Sequence, residues 1–311
     1  MNYSTHILAS LTLLGSLAVA EAAQFAACKF KDDKKAAISI TLDGAMRKQY
    51  DIALPLLDKY NFKATFYIPV NSIPNSPDDG VKAKNAPGWE DLKDISAKGH
   101  ELGNASMNYS PVNNQPETKL SGIINDPIAI IKEKTGVDVE TFGPPAGGCN
   151  DKVRKIIMEK HLGVSPWRIG FGNDKNAVKT AADICESRLA RRDDVAILLA
   201  QNVTAAEIET LLKTLKSVES QIWIDTYANV CKYVILRDQG KLNVKAENGN
   251  VITVELISPR KETDKTELTV RYDAPETITV SQNGKPIKTA SSEEGTIFNV
   301  VPGEFTVTVN K

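Results

Sequence analysis

A parallel α/β fold followed by a small all-β domain is what this sequence predicts, on three observations. The stretch Ala36 to Val70 reads as strand, helix, strand. Further strand–helix units of similar length continue to Arg237, as in a parallel sheet or barrel. After Gly240 the pattern changes to short alternating strands separated by turn signals.

The opening unit is the most legible. Ala37 to Leu42 is an apolar, β-branched run of the kind buried parallel strands show. Asp43-Gly44 ends it, and Tyr50, Ala53, Leu54, Leu57 and Tyr60 recur at helical spacing up to Asn61. Ala64 to Ile68 is the next strand, which makes the whole a βαβ crossover. Parallel α/β folds carry their chemistry at the carboxyl ends of strands, so Asp43 is the first candidate site residue.

The later elements follow in order. Pro69 to Trp89 is a polar loop, Trp89 to Ile95 begins a helix that Lys98-Gly99 ends, and His100 to Asn104 is a short strand. Leu120 to Thr135 has helical character, with Pro127 marking a kink or a second start. Thr141 to Gly148 is a strand end and tight loop, Asp151 to Lys160 a helix, and Gly163 to Trp167 a strand. Val195 to Leu199 and Gln221 to Thr226 are strands, each followed by a helix, Ala205 to Ser217 and Ala228 to Arg237. Beyond Gly240, residues 242–246, 251–256, 267–272, 277–281 and 304–309 alternate apolar with polar side chains. Asn283-Gly284 is a hairpin signal and Pro302-Gly303 a second turn. A β-sandwich of this size is a carbohydrate-binding module or a packing domain. The second reading fits better, because the strands show no row of stacking aromatics.

The opening unit and three later segments resemble the polysaccharide deacetylases, the NodB-homology domain of carbohydrate esterase family four. The family's T-F-D-D-G motif aligns with Thr41-Leu42-Asp43-Gly44-Ala45, and its KATFF strand with Lys63 to Tyr67. Its G-H-E-[IL]-G-N-H-[ST]-x-x-H segment aligns with Gly99 to Tyr109, F-R-x-P with Phe142 to Pro145, and I-[VIL]-L-L-H-D with Ala196 to Gln201. The resemblance spans roughly residues 30–240 and implies a distorted, incomplete (β/α) barrel. It also implies metal-dependent removal of acetyl groups from sugars, with zinc the usual metal. In that chemistry a divalent metal and a carboxylate activate water, a histidine protonates the leaving group and an oxyanion donor steadies the intermediate.

The departures from the family are concentrated where that chemistry resides. Asp43 stands at the catalytic base, but Gly44, Ala105 and Tyr109 stand at the three metal-ligand positions. Gly143 replaces the arginine that orients the base, and Ala200 the acid histidine, with Gln201 beside it. Past residue 22 the chain has two histidines, His100 and His161, and neither falls at a motif position. His100 reads as a hydrogen-bonded structural residue and His161 as a surface or helix-end residue. The expectation is therefore a protein with no metal cofactor and no deacetylase activity. Asn104, Tyr109, Pro144, Pro145, Trp167, Gln201 and Asp225 are the candidate substrate-binding residues, since polar groups beside aromatics suit a sugar. The plainer reading of Asp43 and Asp225 is that they cap the helices after them; a glycosidase-type carboxylate pair is the more distant alternative.

Composition sets the remaining limits. The chain has 311 residues, 41% hydrophobic and 25% charged, with a net charge of −1, an ordinary globular balance that offers no attraction for nucleic acid or an anionic membrane surface. Ile7 to Ala20 ends in a small-x-small pattern and reads as a secretory signal, although its amino-terminal side lacks Lys and Arg. The expected division is a signal peptide at 1–22, the barrel at 23–240 and the β domain at 241–311, with no membrane span after cleavage and a secreted or periplasmic location. Four cysteines in an exported chain favour disulfides, with three possible pairings. Cys28–Cys231 with Cys149–Cys185 is preferred, because a closed barrel would bring the first strand's lead-in beside the last helix. The leading functional reading is an exported, inactive deacetylase-like protein that binds a carbohydrate or another envelope component. An active hydrolase with a rebuilt site and a structural or partner-binding scaffold are the alternatives.

Overall fold

The computed structural model describes residues 24–76, 78–145, 148–165, 169–171, 195–199 and 203–310. Strand β1 (Phe25–Ala27) leads to β2 (Ala36–Asp43), which is buried along its whole length and forms the axis of the larger domain. Helix α1 (Arg47–Tyr60) returns the chain and buries Tyr50, Ala53 and Leu57, the three-and-four spacing seen in the sequence. Asn61 ends α1 at φ 55°, a left-handed cap that asparagine tolerates. Strand β3 (Ala64–Ile68) then pairs in parallel with β2, Asp43 facing Tyr67 in register.

The chain continues through helices α2 (Gly80–Asn85) and α3 (Trp89–Ala97), strand β4 (Glu101–Asn104), helix α4 (Glu117–Thr135), strand β5 (Thr141–Phe142) and helix α5 (Asp151–Met158). Strands β6 (Gly163–Val164), β7 (Ile169–Phe171) and β8 (Val195–Leu199), helix α6 (Ala205–Ser217), strand β9 (Ile222–Ile224) and helix α7 (Tyr227–Gln239) complete it. Pro127 lies within α4 and is buried there, so the proline is absorbed into one helix rather than starting a second. The sheet order is β6-β5-β4-β3-β2-β8-β7, with β9 also on β2, and every pairing is parallel. This is a curled, incomplete barrel whose main core joins β2, β3 and β4 to α1, α3, α4 and α6. Helix α7 reaches across its open side: the Tyr227 hydroxyl donates to the Val164 carbonyl at 3.0 Å, and Lys232 pairs with Glu140 at 2.6 Å.

The last part of the chain is all β. Strands β10 (Lys241–Asn248), β11 (Val251–Ile257), β12 (Leu268–Tyr272), β13 (Thr277–Gln282), β14 (Lys285–Ile287), β15 (Thr289–Ser291), β16 (Thr296–Val300) and β17 (Gly303–Asn310) form two antiparallel sheets. One is β10-β11-β17-β13-β14; the other is β1-β12-β16-β15. Val254, Leu256, Val270, Val280, Phe298 and Phe305 share one core with Tyr233 and Leu236 of α7. Asn283 and Gly284, at φ 53° and 71°, make the β13–β14 hairpin turn that their sequence signals. Strand β1, at the head of the chain, adds to β12 in this domain rather than to the barrel.

The expected disulfides are not formed: Cys28 and Cys149 carry free thiols, and no bond joins Cys28 to Cys231. The reason lies on α7. Tyr233 faces the chain's first segment, its hydroxyl donating to the Cys28 carbonyl at 2.9 Å, and Arg237 donates to the Lys29 carbonyl. Cys231, two residues from Tyr233 and so on nearly the opposite side of the helix, packs against Gly163. Burial, more than the neighbouring Asp33, pushes the Cys28 thiol up to about 12. Cys185 lies outside the described residues.

Candidate functional site

Three loop segments converge at the carboxyl ends of β2, β4 and β5. Asp43, the last residue of β2, is 3% exposed, and the Tyr109 hydroxyl donates to its Oδ2 at 3.2 Å. Tyr109 arrives there from a loop that is fastened to the segment after β3. Val70 and Asn71 donate their amides to the carbonyls of Ser106 and Met107, and the side chains of Asn71 and Asn108 join at 2.5 Å. Ser106 and Tyr109 both sit at positive φ, 68° and 55°, which is costly for side chains with a Cβ. The loop is thus held in a strained form that carries the phenol to the carboxylate.

The donor set does not fit a divalent metal. Gly44, at φ 88°, has no side chain, and Ala105 is a fully buried methyl whose amide donates to the Ile68 carbonyl. Tyr109 supplies a neutral phenol where zinc takes imidazole, and that phenol is already directed at Asp43. Among the described residues no group of three or more His, Cys, Asp or Glu could hold a metal ion.

Beneath this surface the polar residues hold each other. Asn104 is fully buried; its amide donates to the Ile124 carbonyl at 2.6 Å and meets His161 Nε2 at 3.1 Å, while its oxygen accepts from the Ser106 amide at 2.7 Å. Both of its amide donors and its oxygen are engaged in shaping the loop, which makes it a positioning residue in this geometry. His161 ends α5 as the sequence suggests, but it is buried rather than at the surface, with Nδ1 bonded to the Ile157 carbonyl at 2.9 Å. That bond fixes Nδ1 as the donor and leaves Nε2 to accept from Asn104. Burial holds the His161 ring below the usual histidine range.

Pro144 and Pro145 are buried after β5, anchored by the Gly143 amide donating to the Asn104 carbonyl at 2.8 Å. Gly143 stands where the family's arginine would be, and the space for a side chain is taken. A Cβ on Gly143 would lie 2.5 Å from the ring of Tyr67, and one on Gly103 would also lie 2.5 Å from it. Tyr67, fully buried, is clamped between two glycine backbones.

Glu101 is the carboxylate that sequence reasoning passed over. Thr65 donates to it at 2.7 Å and the Ala228 amide, in the first turn of α7, at 2.8 Å; the Thr141 hydroxyl links it to the phenol of Tyr67. Burial raises its pKa against the opposing pull of these hydrogen bonds. It lies at the amino end of β4, away from Asp43, and its partners tie α7 to the barrel interior. Only its place beside His100 in the family segment hinted at this role. His100 itself accepts from the Ala64 amide at 3.1 Å, in keeping with the structural role read for it.

Of the remaining candidates, Asp225 is not gathered at Asp43. The Asp225 amide donates to the Ile38 carbonyl, which places the residue beside the first half of β2, about 13 Å along the strand from Asp43. Its Oδ1 accepts from the Thr226 amide at 2.7 Å and from Asn229 at 2.8 Å, at the start of α7. Trp167, Ala200 and Gln201 lie outside the described residues.

Comparison with known proteins bears on the fold and on the motif register. The sequence profile of the polysaccharide deacetylase family matches residues 30–165. The protein YlxY of Bacillus subtilis, itself uncharacterized, is 26% identical over 166 residues, which are 52% of this chain and 47% of that protein. The chain therefore spans about half the length of that curated relative. A structure from Mycobacterium smegmatis, provisionally assigned as a polysaccharide deacetylase, aligns over 72% of this chain and 98% of its own, with a TM-score of 0.53 and 13% identity. A carbohydrate esterase family 4 pseudoenzyme from Bacillus anthracis, BA3943, aligns over 64% of this chain and 66% of its own, with a TM-score of 0.47 and 21% identity. The curled parallel sheet, the order of motifs from Thr41 to Pro145 and the family profile agree: residues 30–165 match the polysaccharide deacetylase domain, the NodB-homology type.

Proposed function

We propose that this protein is an exported, catalytically inactive member of the deacetylase group that holds a carbohydrate or another envelope component at the former active-site face. One observation carries the reading: the Tyr109 hydroxyl, at a position where the family places a metal histidine, donates to the Asp43 carboxylate. A base engaged by a phenol, with Gly44 and Ala105 beside it, lacks the side-chain ligands for a metal that would activate water, and metal activation is worth several kcal/mol of the barrier. Tyr109 offers an aromatic face and a hydroxyl, both suited to a sugar ring. The apolar run from Ile7 to Ala20 supports export, and among the described residues no helix is long and apolar enough to cross a membrane.

Acetate release from acetylated chitin and xylan oligomers tests the inactive reading. The expected result is release no greater than from heat-treated protein. Release above that level, abolished by Asp43→Asn, would show that a working site has been rebuilt. A glycan array on the purified protein then separates carbohydrate binding from a purely structural scaffold.

A further inference from the structure

A cavity of about 380 Å³ lies where the start of α7 and the end of β9 meet the β-sandwich, and it involves none of the residues around Asp43. Its volume falls within the range of small-molecule sites, about 300–1,000 Å³. Trp223, half-buried, forms one wall, its ring set edge-on to Tyr233 at 5.3 Å between centroids. Asp225 and Asn229 stand beside it, joined by the 2.8 Å bond from the amide to Oδ1; Oδ2 of Asp225 has no partner among the described residues.

The charges around this cavity decide what it could hold. Lys31, Lys232 and Lys265 are matched by Asp225, Glu262 and Glu267, so the lining is formally neutral. Lys31 is bonded to Glu267 at 2.7 Å and Lys232 to Glu140 at 2.6 Å, outside the cavity lining. A phosphate or a sulfated chain would meet as many carboxylates as ammonium groups, and a cation as many ammonium groups as carboxylates. What remains favourable is an uncharged molecule with an apolar face for the indole and hydroxyls for the carboxylate and amide.

We propose that this junction is a binding site for a neutral saccharide, with a sugar ring stacked on Trp223 and hydroxyls held by Asp225 and Asn229. The site is independent of the Asp43 face: it uses other residues and places the ligand against both domains. It also gives the β-sandwich a share in recognition, since Lys265, Thr266 and Val301 complete the wall.

Calorimetric titration of the full chain tests this, with the tetramers of N-acetylglucosamine, glucose (β-1,4) and xylose as neutral probes. Glucosamine and galacturonate tetramers are the charged controls. Each is run on the wild type and on Tyr109→Ala, which removes any contribution from the Asp43 face. At least one neutral tetramer should bind both proteins, with both charged tetramers at least tenfold weaker. Adding Trp223→Ala or Asn229→Ala should weaken that binding by about tenfold or more, the loss of roughly one good contact. Should Trp223→Ala fail to fold, Asn229→Ala and Asp225→Asn, both changes to partly exposed side chains, decide the matter. The proposal is overturned if no neutral tetramer binds Tyr109→Ala, if a charged tetramer binds as tightly, or if Asn229→Ala and Asp225→Asn leave affinity unchanged. Binding that disappears with Tyr109→Ala alone would sink this site and leave the Asp43 reading standing.

Discussion

The Tyr109 hydroxyl donates to Oδ2 of Asp43 at 3.2 Å, from a backbone held at φ 55°. A bulky side chain in that conformation costs about 1–3 kcal/mol, a sum the rest of the loop must supply through its bonds to residues 70 and 71.

Removing the phenol's hydroxyl should therefore be measurable on its own. Tyr109→Phe gives up a hydrogen bond worth roughly 1 kcal/mol, or about 2–4 °C in Tm for a domain of this size. Calorimetry of Tyr109→Ala with and without oligosaccharide separates two roles. Weaker binding at the Asp43 face marks a ligand contact; a lower Tm with binding unchanged marks a plug in the old metal position.

Elemental analysis of dialysed protein should find well below one zinc per chain. Gly44 and Ala105 contribute no side-chain donor, and the Tyr109 phenol is occupied by Asp43. A full equivalent of metal, lost on Asp43→Ala, is the result that contradicts this.

Gly143→Ala should destabilise the fold by about 1–3 kcal/mol, because its Cβ would sit 2.5 Å from the Tyr67 ring. Tyr67→Ala by itself empties a packed position and costs roughly 3–5 kcal/mol. The double variant should be more stable than the sum of the two losses, because removing the ring removes the clash. Additive losses in urea unfolding would mean that the backbone moves aside instead.

Stability should fall as pH drops from about 6.5 toward 4. Burial, assisted by the Lys63 and Lys98 charges nearby, takes His100 down to about 4, and burial also lowers His161. Both rings bind protons more readily in the unfolded chain, so the stability they confer is complete above their unfolded value of about 6.5 and is lost progressively as the folded value is approached. Urea midpoints measured at pH 7.5 and 4.5 should show this, and His100→Gln should flatten the decline. An unchanged slope in that variant would place the acid sensitivity elsewhere.

Much of the barrel was legible because its signals are local. The apolar run at 37–42, the helical spacing from Tyr50 to Tyr60 and the strand at 195–199 each declare their own structure, and the motif frame picked out Tyr109, whose hydroxyl meets Asp43. What the sequence hid is relational. Nothing in Phe25-Ala26-Ala27 says that its hydrogen-bond partner is Tyr272-Arg271-Val270. Asp225 ends a strand, as expected, but β9 pairs only with Ala36 to Ile38, so that strand ends well short of Asp43. The cysteine pairing failed for a similar reason: proximity of segments was inferred, whereas the facing of Cys231 on α7 decides the outcome. Strands β14 to β16 are three to five residues long, too short for alternation to announce them.

The pairing of β1 with β12 also has a consequence in time. A ribosome makes residues 25–27 some 240 positions before the strand that receives them, at about 5–20 residues per second. For tens of seconds the nascent chain therefore carries an unpaired apolar leader while the α/β part is already able to collapse. Completion of this sheet must wait for β12 and β16, so a segment made early is enclosed by strands made late. Arresting translation near residue 240 should yield a barrel whose first segment is open to protease, and extending the arrest point past Val300 should protect it.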